Sequence, residues 1–480
     1  MHRFYASSFL LAGLVVTTFG VAQTAPTGLT EQQEIPVPAI RTAMGTLPGV
    51  NELPSRAALP DLFTFSNGKK VTTRAEWQQR RAEMRRILEY YAVGQMPPAP
   101  DNVQGEEIHS ELVLSGKARY RLIRLSFGPE HKLQLHIGIF TPTDKQGPFP
   151  AIITQAAEPP GGPILPRLPL GPNQGTGQNV LLMVGPGKDS QNAARGDYRS
   201  MPAPSAEEIA ATHREVLQRG YALVVYNDND CAEDTTLREA DGSFSFRKTR
   251  FLTAYPDYDW GVLAVWAWGA SRVADYLGSD PQIDAKTLIL TGASRSGKAA
   301  MIAAAFDDRL IAAPVVTGGG GIGVYRDAGA DHGESLDIML TKYPNWFSPH
   351  LHEFRGHVER LPFDEHWLPA LCAPRPFLAL EGDADVISLP DAVRHSIEAA
   401  RAAYTLQGVS PLKIGVHYSH HAHAFTAEDW SAILDFMEIQ RHGAPEQAEF
   451  QHFLTKEERA SALADAAARA KAQGSSGTPR

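Results

Sequence analysis

Short apolar runs that do not alternate with polar residues constrain this chain more than any other feature. They are "PAIIT" (150–154), "YALVVY" (221–226), "TLILT" (287–291), "APVVT" (313–317), "PFLALEG" (376–382) and "LKIGVHYS" (412–419). A strand that is apolar on both sides is buried on both faces, which is the condition of a parallel sheet. Helical patterns separate the runs, notably at 259–277, 296–307 and 392–404. Strand alternating with helix predicts an α/β fold with a doubly wound, mostly parallel sheet. Upstream, "TRAEWQQRRAEMRRILEYY" reads as a helix opened by a Thr73/Glu76 capping box, with Trp77, Met84, Leu88 and Tyr91 on one face. In "KLQLHIGIF", Leu133, Leu135, Ile137 and Ile139 alternate, which predicts a half-buried strand.

The ends of the chain read differently. Residues 1–22 have a short positive start, an apolar run near Phe9–Val16 and small residues Gly20-Val21-Ala22. That run is too short to span a bilayer, so a secretory signal cleaved near Ala22 is expected, placing the protein outside the cell or in a periplasm. Residues 23–50 read as a linker, 51–443 as the folded domain, and 444–480 as a surface helix followed by disorder. The Gly/Pro-rich stretch 156–205 has no periodicity, and a loop of that length in a compact domain is functional or disordered. A net charge of −9 argues against a broad nucleic-acid surface. The two cysteines, Cys231 and Cys372, could pair or remain two buried thiols.

The segment "TLILTGASRSGKAA" (287–300) carries two competing patterns. Gly292 to Lys298 resembles a phosphate-cradling loop, but the following position needs Ser or Thr to hold magnesium, and here it is Ala299. Gly292-Ala293-Ser294-Arg295-Ser296 matches a nucleophile elbow in which Ser296 replaces the usual second glycine. Ser294 would then sit at a helix N-terminus, where free N–H groups favour the charge that develops in acyl transfer. On the motif alone, a serine that merely caps the helix reads as well. A serine nucleophile needs a base held by a third group, in the order Ser, acid, His. Downstream stand Asp383 and Asp385 at one strand end, then His417, His420, His421 and His423 after the last strand. Ser294, Asp385 and His423 fit that order. The histidine spacing matches no standard metal site, so no metal is expected.

These residues resemble carbohydrate esterase family 15, the glucuronoyl esterases. The family signature G-C-S-R-x-G-K is matched by Gly292-Ala293-Ser294-Arg295-Ser296-Gly297-Lys298. "LPDLFTFSNGKKVTTRAEWQQRRAEM", "WAWGASRVADYL", "GESLDIMLTKYPNWF", "LPFDEHWLPALCAPRPFLAL" and "HAFTAEDW" are similar to further family blocks, over roughly residues 55–440. The resemblance implies a three-layer α/β/α sandwich of the α/β-hydrolase fold. It implies Ser294 as nucleophile, Arg295 at the oxyanion, and Lys298, Glu334 and Trp346 toward the sugar. It selects His423 as base, six residues before Asp429-Trp430. The fungal-type cysteine pair is replaced by Ala293 and Ala424. The family's E-S-G acid stretch reads Val316-Thr317-Gly318, which moves the acid to Asp385, with Asp383 as the alternative. An aromatic often found two residues after that acid is here Ile387. The segment 156–205 looks like an insertion.

The implied activity is that of a serine esterase cleaving glucuronoyl esters of xylan, working as a monomer with no cofactor and no membrane or nucleic-acid partner. The alternatives are an acetyl esterase with the same triad and a catalytically inactive carbohydrate-binding homologue.

Overall fold

The computed structural model describes residues 46–155, 206–234, 237–238, 244–245, 250–318, 320–329, 334–443 and 448–475. The signal segment, most of the linker, the 156–205 stretch and the last five residues lie outside the described residues.

Helix α1 (Arg74–Leu88) starts where the capping box predicts. Glu76 N donates to Thr73 Oγ1 at 3.1 Å, and Thr73 N donates to Glu76 Oε2 at 3.2 Å. The helix runs into a π-helical turn at Glu89–Val93, and Trp77, Met84, Leu88 and Tyr91 are buried. Strands β1 (Gln104–Val113), β2 (Ala118–Phe127), β3 (Leu133–Pro142) and β4 (Phe149–Gln155) follow. Then come α2 (Ala206–Gln218), β5 (Ala222–Tyr226), the two-stranded ribbon β6 (Leu237–Arg238) and β7 (Phe244–Ser245), α3 (Phe251–Ala254) and α4 (Val262–Leu277). The second half runs β8 (Ile283–Ala293), α5 (Arg295–Phe306), β9 (Leu310–Val315), α6 (Leu336–Lys342), α7 (Trp367–Cys372) and β10 (Phe377–Gly382). It ends with α8 (Pro390–Gln407), β11 (Ile414–Ser419), α9 (Ala427–His442) and α10 (Lys456–Ser475).

Nine strands form one sheet in the order β1-β2-β3-β5-β4-β8-β9-β10-β11. From β5 to β11 every pairing is parallel, and β1, β2 and β3 add an antiparallel edge. One face packs on α1, α4, α5, α7 and α8 through residues such as Trp77, Val265, Met301, Leu371 and Ile397. The other packs on α2 and α9 through Val216, Leu217, Ile433 and Phe436. This is the three-layer α/β/α sandwich. The strand order reverses between β4 and β8, and in such sheets ligands bind at the carboxyl ends of strands beside that reversal. The carboxyl end of β8 carries the "GASRSG" turn.

Two local expectations change. Strand β3 is buried on both faces, because α2 and the β2 residues Tyr120 and Leu122 cover the side that carries Phe140. The run "APVVT" does not coincide with its strand: β9 ends at Val315, and Val316 turns out of the ladder at φ 44°. Cys231 and Cys372 are both buried and unpaired with each other. Among the described residues no helix is long and apolar enough to cross a membrane.

Candidate active site

Strand β8 ends at Ala293 and α5 begins at Arg295, so Ser294 alone makes the turn, at φ 56° and ψ −121°. A non-glycine residue in that region costs about 1–3 kcal/mol and persists only where its surroundings fix it. They do so here. Ser294 N donates to Val315 O of β9 at 2.8 Å. A Cβ on Gly297 would stand 2.7 Å from Gly292 O and from Thr317 Cγ2, so this approach of helix to strand requires glycine. At Ser296, the position of the missing second glycine, the buried hydroxyl donates to Asp228 Oδ2 in the loop after β5 at 3.0 Å. Arg295 is the first residue of α5, so its N–H is among those with no acceptor inside the helix.

Histidine and acid come from the loops after β11 and β10, three and two strands further along the sheet from β8. Asp385 is fully buried, and its Oδ2 is 2.8 Å from His423 Nδ1. Its Oδ1 accepts from Ile387 N at 3.0 Å. Asp383 faces a different histidine, the largely exposed His420, at 2.7 Å. The geometry therefore distinguishes two acids that spacing alone could not. The two loops interlock at Gly382, where a Cβ would meet His421 O at 2.4 Å and Ala422 O at 2.5 Å.

A further carboxylate stands here that the sequence reading did not single out. Glu381, on β10, reaches sideways to the Val316-Thr317-Gly318 turn, where the family's acid stretch lacks its carboxylate. Its Oε1 accepts from Thr317 N at 3.1 Å, Thr317 Oγ1 at 3.3 Å and Gly318 N at 3.4 Å. Burial, with help from the nearby Asp385 charge, pushes its carboxyl up to about 7. The available signal was one acidic residue inside the apolar run "LALEG".

Lys298 lies one helical turn after Ser294, and its N donates to Ser294 O at 2.9 Å. Its buried ammonium donates to Glu334 Oε2 at 3.0 Å and to Thr317 O. Burial raises the Glu334 carboxyl and Lys298 opposes that, while the charges of His423 and Asp385 are near enough to act on it. Glu334 Oε2 would also stand 2.7 Å from a Cβ on Gly318, whose other neighbour is Ile387. The Arg295 guanidinium pairs with Asp234 and lies over the rings of Trp346 and Tyr343, 5.1 and 5.6 Å from their centroids. Trp346 is only 2% exposed and donates through Nε1 to Asp234 Oδ1 at 3.1 Å. Asp234 therefore ties the arginine to its aromatic platform, a role for which the sequence carried no signal.

Behind His423, His421 Nε2 is 2.9 Å from Asp429 Oδ2, with both side chains buried. Asp429 also accepts from Ser419 Oγ at 2.7 Å and from Thr426 N at 2.7 Å. Burial alone would lower the imidazole, but Asp429 reverses this and raises it to about 9. A histidine raised on folding stabilises fully below its unfolded value near 6.5, and that stabilisation fades as pH climbs through about 9. Asp429→Asn is expected to destabilise by about 3–5 kcal/mol near neutral pH, read by denaturant unfolding. The loss should shrink as pH rises past 9. A pH-independent loss below about 1 kcal/mol would contradict the pairing. Among the described residues no cluster of His, Cys, Asp and Glu could hold a metal ion.

A strained serine between a parallel strand and its helix, with an acid-bound histidine presented from the strand ends beyond it, defines an α/β-hydrolase. Comparison with known proteins narrows the class. A model of the family described as "Glucuronyl esterase, fungi" matches residues 191–408. The "4-O-methyl-glucuronoyl methylesterase" of Neurospora crassa is 28% identical over 361 residues, covering 73% of each chain. Among solved structures, a carbohydrate esterase family 15 glucuronoyl esterase from Caldicellulosiruptor kristjansonii is 27% identical with a TM-score of 0.60, over 82% of this chain and 93% of that one. The glucuronoyl esterase catalytic domain from Hypocrea jecorina is 25% identical with a TM-score of 0.60, over 85% of this chain and 94% of that one. These likenesses support carbohydrate esterase family 15, the glucuronoyl esterases, whose members are carboxylic ester hydrolases.

Proposed function

We propose that the protein hydrolyses esters of glucuronate, as in glucuronoyl side chains of xylan joined to an alcohol, with Ser294, His423 and Asp385 as its triad. Ser294 Oγ attacks the uronate carbonyl carbon. With Nδ1 bound to Asp385, proton transfer falls to Nε2 of His423, which takes the serine proton and returns it to the leaving alcohol. The Arg295 N–H stabilises the oxyanion, while its guanidinium, offset by the paired Asp234, fixes the residue in place. Water then repeats the sequence on the acyl-enzyme, with His423 as base. No step calls for a metal or organic cofactor. Secretion, from residues 1–22, and a monomeric state are part of the same reading.

The observation that carries the substrate class is the buried Lys298–Glu334 pair beside Ser294. Burying two charges is expensive. A donor-only ammonium next to an acceptor-only carboxylate suits adjacent sugar hydroxyls, which both donate and accept, whereas an acetyl group has no O–H to donate to the carboxylate. The test is turnover of benzyl glucuronate beside acetylated xylan. The glucuronate ester is expected to be favoured at least about 100-fold in kcat/KM, because its hydroxyls gain hydrogen bonds to this pair that an acetyl group cannot make in full. Preference for the acetyl ester would move the protein to the deacetylases, and turnover of neither would favour a binding role.

A further inference from the structure

The last helix, α10, is attached in an unusual way. No residue from Lys456 to Arg469 is fully buried; beside Arg459 only Ala462, Leu463 and Ala466 are half-buried, so apolar packing alone holds the helix weakly. Its first turn is fixed by Thr455, whose Oγ1 accepts from Glu458 N at 3.2 Å while its N donates to Glu458 Oε2 at 2.8 Å. The residue this turn presents inward is Arg459. Its Nη1 donates to Asp383 O at 2.8 Å and Gly382 O at 3.4 Å. Its Nη2 donates to Ser388 O at 3.2 Å and to Asp385 O.

All four acceptors belong to the loop 382–388, which holds Asp385 against His423. Besides the side-chain bonds of Asp383 and Asp385 already described, its backbone is tied by Asp383 N to Ser419 O at 2.9 Å, Ala384 N to His421 O at 3.1 Å, and two bonds within the loop accepted by Gly382 O and Asp385 O. Each tie uses an N–H. The outward-facing carbonyls are gathered by the guanidinium, whose planar fork reaches several acceptors at once with charge-assisted bonds.

We propose that Arg459 is a positioning residue for the triad: from the C-terminal helix it clamps the carbonyls of the acid loop and so fixes the Asp385 carboxylate against His423. This rests on the esterase reading above. It makes α10 part of the catalytic apparatus, although the helix lies beyond the region of family resemblance. A guanidinium is required because an ammonium is a point donor that cannot span carbonyls from Gly382 to Ser388.

The experiment compares full-length wild type, Arg459→Ala and Arg459→Lys by hydrogen exchange of the 382–390 peptide and by kcat and KM on benzyl glucuronate. Thermal unfolding serves as the control for folding. Arg459→Ala should speed exchange in that peptide on the order of tenfold without changing the core strands. It should lower kcat about 10- to 100-fold with KM within about threefold, as a displaced catalytic group does. Millimolar guanidinium ion should restore part of kcat, and Arg459→Lys should stay low. Unchanged exchange and unchanged kcat would overturn the clamp. Should Arg459→Ala unfold, Arg459→Lys carries the same test. Should wild type turn over no ester, the functional reading fails, and the exchange measurement still decides the clamp.

Discussion

Replacing Ser294 by alanine is expected to lower kcat/KM on a glucuronate ester by about 10⁴- to 10⁶-fold and to leave the fold intact. The size of the loss follows from the division of labour: Ser294 supplies the atom that bonds to carbon, and the neighbouring hydroxyl of Ser296 is buried and committed to Asp228. The fold survives because the turn is held by its backbone bond to Val315 and by the close approaches at Gly292 and Gly297, none of which uses the hydroxyl. His423→Ala should cost a similar amount. The double variant should cost little more than either alone, because nucleophile and base act as one unit. Rates and unfolding midpoints of the three proteins check this. A Ser294→Ala protein within about 100-fold of wild type would mean another nucleophile.

Asp385→Asn is expected to lower kcat by about 10⁴-fold, whereas Asp383→Asn should change it less than about tenfold. The two acids are two residues apart and differ only in what they face. Asp385 uses both oxygens as acceptors, from His423 and from Ile387 N. An amide in its place must turn an N–H toward one of those donors, or hold the imidazole in the tautomer that cannot take the serine proton at Nε2. Asp383 is buried but faces His420, whose ring is largely in solvent and outside the triad. Similar losses at both positions would show that the acid loop responds as a unit.

The sequence showed the frame of this site more clearly than its supports. Continuous apolar runs predicted the parallel strands, and the elbow pattern placed Ser294 at the end of β8, because both depend on residues adjacent in the chain. Asp385 could not be separated from Asp383, because the choice depends on side-chain direction in a turn without period. Asp228, Asp234 and Glu381 were not singled out. Asp234 reaches Arg295 across 61 residues and Asp228 reaches Ser296 across 68, and no local pattern encodes such a contact. The same limit applied to β3, whose alternation is real but whose second face is covered by α2, an element supplied from elsewhere in the chain.

The central claim is that Ser294 carries the glucuronoyl group during turnover. The most direct measurement is mass spectrometry of protein quenched in acid while it turns over benzyl glucuronate, followed by peptide mapping. A glucuronoyl adduct on the peptide containing Ser294, absent from the Ser294→Ala protein, is the predicted result. Turnover of the ester with no adduct there, or with the adduct on another residue, would contradict the account.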